Sequence, residues 1–79
     1  MILTAHAKAA IIERGIKEEW LQRAIDDPDN RVVSEDGTVH YIKKIQEADD
    51  RILRVIVNPS FASLKIITAF FDRRLRRKA

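Results

Sequence analysis

The chain changes its hydrophobic period once, and that change limits the folds open to it. Up to Asp26 the apolar residues recur at helical spacing; from Arg31 onward they alternate at strand spacing. At ~100° per residue, Leu3, Ala7, Ala10, Ile11 and Arg14 gather on one side of a helix expected from about Thr4 to Arg14. Thr4 is a fair N-cap, and Gly15 suits the left-handed position that ends a helix. Trp20, Leu21, Ala24 and Ile25 give a second stripe over about Lys17 to Asp26, with Glu18 and Glu19 in the favoured first turn. Asp27-Pro28-Asp29-Asn30 supplies turn chemistry.

Four strands are expected after that turn. They are Arg31 to Glu35, Thr38 to Gln46, Arg51 to Asn58, and Ala62 to Phe71. Asp36-Gly37 marks a hairpin turn, and Glu47 to Asp50 a second polar turn. The last strand is apolar on both faces, which predicts a strand covered on both sides or paired with a second copy of the chain through Phe70 and Phe71. The predicted architecture is α+β: two N-terminal helices on one face of a four-stranded antiparallel sheet, one domain over residues 1–79. A core this small rarely supplies more than ~3–5 kcal/mol, so a dimer or a bound protein is an expected source of added stability.

Charge is unevenly spread. Residues 1–64 carry nine Lys/Arg against eleven Asp/Glu, and residues 65–79 carry six against one. Arg73, Arg74, Arg76 and Arg77 concentrate the positive charge in a tail from about residue 72, which attracts phosphate backbones or simply solvates a small domain. The absence of cysteine excludes disulfides, zinc fingers and thiol nucleophiles. Two histidines are too few for a metal site, and no cofactor motif is present. The apolar start carries His6, Lys8 and Glu13, unlike a signal peptide, and no membrane segment is expected; the cytoplasm is the expected location.

Strand alternation suggests one constellation. If Leu53, Val55 and Val57 face the helices, then Arg54 faces away, and His40, Ile42 and Lys44 share its open face. A histidine beside two cations suits metal-independent RNA phosphodiester chemistry, in which charge builds on phosphate. The same pattern reads first as an ordinary solvated sheet face with polar residues at alternate positions. On the first helix, His6 and Arg14 are secondary candidates for catalysis; a hydrogen-bonded helix-start histidine and a salt link to the sheet account for them as well.

His6-Ala7, Glu13-Arg14-Gly15-Ile16, Glu18-Glu19, Asp27-Pro28-Asp29, Arg54-Val55-Ile56-Val57 and Ile66-Ile67-Thr68 together resemble the bacterial family known as domain of unknown function 4258. That family is similar to RelE/ParE-type toxins. The resemblance implies a toxin-like module, ribonuclease-like in activity and paired with an antitoxin protein. Two positions depart from the family pattern: Ala10 stands where an arginine follows the histidine by four residues, and Lys17 where a serine N-cap is common. Loss of that arginine shifts phosphate binding to Arg14 and Arg54, and leaves open a non-enzymatic module that binds protein or nucleic acid with the same fold.

Overall fold

The computed structural model describes residues 1–59 and 64–75. Its elements run β1 (Ile2–Leu3), α1 (Ala5–Arg14), α2 (Glu18–Asp26), β2 (Asn30–Val33), β3 (Val39–Ile45), β4 (Arg51–Asn58) and β5 (Lys65–Phe71), with short 3-10 turns at Gln46–Ala48 and Arg73–Leu75. The Thr4 hydroxyl accepts from the Ala7 amide and donates to the Ile67 carbonyl, so one side chain both starts α1 and ties it to β5. Gly15 (φ 65°) closes α1, its amide reaching back to Ile11 and Ile12, so the chain can turn directly into α2.

The sheet corrects the expected architecture. It has five strands in the order β1-β5-β4-β3-β2, and it is mixed rather than antiparallel, because β1 pairs parallel with β5. Leu3 counts in the apolar stripe of the first helix when read from the sequence, yet Ile2 and Leu3 lie opposite Lys65 and Ile66. A two-residue strand has no periodicity of its own, and only its distant partner creates it. The remaining pairs form the antiparallel meander β2-β3-β4-β5.

Both helices cover one face. Ala7, Ala10 and Ile11 of α1, and Trp20, Leu21 and Ala24 of α2, are buried. Most of them join Val39, Ile45, Leu53, Val55, Val57, Ile66 and Ala69 in one core cluster. A bulge explains why the last strand reads as apolar on both faces. Val57 pairs with Ile66, while Ile56 pairs with Thr68, so Ile67 is an extra residue that resets the alternation. Phe71 consequently points to the helix side, with its ring edge-on to Trp20 at 6.2 Å between centroids. No described helix is long and apolar enough to cross a membrane.

Candidate functional site

The face away from the helices is crossed by three rows of side chains fixed by register. Val32, His40, Ile56 and Thr68 form one row, and Asn30, Ile42, Arg54 and Phe70 the next; Lys44 and Ile52 form the third. His40, Lys44 and Arg54 therefore share the open face, as alternation predicts. Arg54 sits in the middle row on a central strand, flanked by Ile42 and Phe70.

Arg54 is held on two sides. Its Nε donates to Asp72 Oδ2 at 2.8 Å, and its Nη1 lies 2.8 Å from His40 Nδ1. Arginine has only donors, so His40 Nδ1 must accept, and the ring proton of the neutral imidazole resides on Nε2. That proton points to the Thr38 hydroxyl at 3.3 Å, and the hydroxyl in turn donates to Asp36 Oδ1 at 2.6 Å. The face carries a continuous chain from Asp36 through Thr38, His40 and Arg54 to Asp72, each link of which joins a donor to an acceptor.

Burial and the neighbouring Arg54 charge push the His40 pKa below its ordinary 6.5. A protonated ring would set a second N–H against the guanidinium. The unfolded chain therefore takes the proton more readily than the folded one: this contribution to stability is complete above pH 6.5 and is lost as pH falls toward the folded value. An NMR titration of His40 should give a midpoint below 6.5, with the unfolding free energy declining through the same window. A midpoint at or above 6.5 would contradict the neutral, doubly engaged ring.

Asp72 is the residue that alternation did not single out. It is 4% exposed, the one buried polar or charged side chain among the described residues. Arg74 contacts its carboxylate through both backbone and side chain, and Arg54 through Nε. The Arg74 contact first, and the Arg54 bond with it, bring the Asp72 pKa down from 3.8 to about 2 despite burial. The signal available in the sequence was its position: a single acid amid the arginines of the C-terminal segment.

Except for Arg74, which bonds Asp72, the other described candidates lie apart from this hydrogen-bond chain. Arg14 reaches the margin of β5, where its Nη1 donates to the Ala69 carbonyl at 2.9 Å and lies 3.4 Å from the Thr68 hydroxyl. It thereby occupies a strand edge that β1 is too short to cover. His6 is exposed on α1, in the helical layer behind the sheet. Lys44 is exposed one row from Arg54, across Ile52, while its amide donates to Asp29 Oδ2 at 2.8 Å. Arg73 is exposed and Arg74 is engaged with Asp72; Arg76 and Arg77 lie outside the described residues. Among the described residues no group of three His, Asp or Glu side chains is placed to hold a metal ion.

A family model described as domain of unknown function (DUF4258) matches residues 3–71. The chain belongs to this family. The match runs from Leu3 in β1 to the end of β5, so both helices and strands β2 to β5 of this DUF4258 domain lie within it. No curated protein and no solved structure matches the chain.

Proposed function

We propose that this DUF4258 domain is a toxin-like module of RelE/ParE type whose open sheet face binds RNA without cleaving it. The carrying observation is the state of His40. Both of its ring nitrogens are engaged within the protein, one by Arg54 and one by Thr38. A general acid or base needs a nitrogen directed at the substrate. A neutral imidazole locked between two partners instead fixes a guanidinium, and an arginine fixed in this way keeps further N–H groups for a phosphate oxygen. Lys44, a row away on the same face, adds a second positive contact, and Arg73 and Arg74 add charge at the end of β5. As a toxin-like module, the domain would pair with an antitoxin protein.

Metal-independent cleavage is the second reading, and one observation favours it. His40 accepts through Nδ1 from the very group that would bind phosphate. A phosphate that takes over the Arg54 Nη1–H would release a basic nitrogen beside it, suited to removing a 2′-hydroxyl proton.

End-labelled single-stranded RNA separates the two readings. Wild-type protein at about 50 mM salt should retard the RNA and leave it full length, with affinity falling steeply as salt rises. Lys44→Ala should weaken binding about three- to tenfold and reduce the salt slope by about one. Fragments ending in cyclic phosphate would establish cleavage instead. Absence of retardation at low salt would remove both readings.

A further inference from the structure

A cleft of about 760 Å³ opens where the end of α1, the β3–β4 turn and the end of β5 meet, at the margin of the open face, which contributes Ile52 and Phe70 to its lining. Three arginines line it: Arg14, Arg51 and Arg73. Arg14 spends Nη1 on the Ala69 carbonyl, and Arg51 spends Nε on the Ala48 carbonyl. Each retains further N–H groups. The Arg51 guanidinium lies 4.0 Å from the centroid of the Phe71 ring, which presents a flat, positively charged surface within the cleft lining. Phe70 adds a second aromatic surface.

The lining also includes Asp72, whose carboxylate is already held by Arg54 and Arg74, and Asp49 and Asp50, two successive non-glycine residues with φ of 59°. Left-handed backbone at two adjacent side-chain-bearing residues is unfavourable, and such conformations concentrate at ligand sites. The cleft thus combines donors for an anion, flat surfaces for a planar ring, and carboxylates that accept from amino or hydroxyl groups. Its volume falls in the range of small-molecule sites and is far larger than a bare phosphate needs.

We infer that this cleft binds one phosphorylated nucleotide unit, with the phosphate on the arginines, the base on the aromatic and guanidinium surfaces, and ribose or base donors at Asp49 and Asp50. The inference stands on the cleft's own residues and does not require the open face to bind RNA. The same chemistry is offered by a free nucleotide and by the phosphorylated end of an RNA strand.

Amide chemical shifts of the full ¹⁵N-labelled chain test it with four probes: 5′-AMP, adenosine, inorganic phosphate, and a 5′-phosphorylated hexanucleotide. AMP should saturably shift Asp49 to Arg51 and Phe70 to Arg73, with adenosine and phosphate each about tenfold weaker. Arg73→Ala, a change at an exposed side chain, should weaken AMP about tenfold with the melting temperature unchanged. A hexanucleotide that shifts Asp49 to Arg51 at lower concentration than AMP, in wild type and in Lys44→Ala alike, assigns the cleft to RNA ends; AMP acting on those amides at equal or lower concentration assigns it to free nucleotides. AMP binding no better than phosphate, shifts lying elsewhere, or an Arg73→Ala variant of unchanged affinity would overturn the inference. Lys44→Ala reports on the open face alone, so failure of one reading is distinguishable from failure of the other.

Discussion

Asp72→Ala should leave the domain largely unfolded at room temperature. The Asp72 side chain is 2% exposed and the Arg54 side chain 15% exposed, joined at 2.8 Å. Removing one partner of a buried pair strands the other charge, at a cost of about 3–5 kcal/mol. That loss is comparable with everything a domain of this size is expected to hold in reserve. Arg74 is the larger influence on the Asp72 proton, yet it contributes less to this cost: its side chain is 81% exposed, so water screens its attraction. Urea unfolding followed by the fluorescence of buried Trp20 measures the effect. Replacing both partners, as Arg54→Met with Asp72→Leu, should recover much of the loss, because no buried charge then remains unpaired. The folded carboxyl has a pKa of about 2 against an ordinary 3.8, so wild-type stability should be intact above pH 3.8 and fall as pH drops toward 2. A stability for Asp72→Ala within about 1 kcal/mol of wild type would contradict the buried pair.

Leu53→Ala should cost about 3 kcal/mol, within a usual range of about 2–5 for a buried leucine. Leu53 is fully buried on β4, the middle strand of the sheet, between Lys43 on β3 and Phe71 on β5. Strands on both sides hold the backbone in place, so the surroundings cannot collapse into the space the side chain leaves. Val32→Ala offers the control. Val32 is 40% exposed on the outermost strand, and its truncation should change stability by less than about 0.5 kcal/mol. Equal effects from the two substitutions would place the core elsewhere.

The elements that the sequence made legible are those with enough residues to repeat. α1, α2 and the three longer strands each carry several turns or alternations, and the inward set Leu53, Val55 and Val57 is fully buried. Alternation likewise placed His40, Lys44 and Arg54 on one face, because β3 and β4 pair without interruption over seven residues. What escaped depends on contacts remote in sequence. β1 exists only because Leu3 meets Ile66, and the register beyond Ile67 is reset by a bulge that pairing alone reveals. Asp72 lies past that bulge, and neither its burial nor its bond to Arg54 follows from counting residues. Arg14 was legible as a helix-end cation with a link to the sheet, but not that the link is a hydrogen bond to a backbone carbonyl at the margin of β5.

Mapping RNA onto the domain tests the functional account most directly. In an amide titration of the ¹⁵N-labelled chain with an unstructured RNA at low salt, His40, Ile42, Lys44, Arg54 and Thr68 should shift together, and the RNA should be recovered intact. Shifts confined to α1 and α2, with the open face silent, would contradict RNA binding at Arg54; RNA recovered as fragments would contradict a His40 that serves only to hold it.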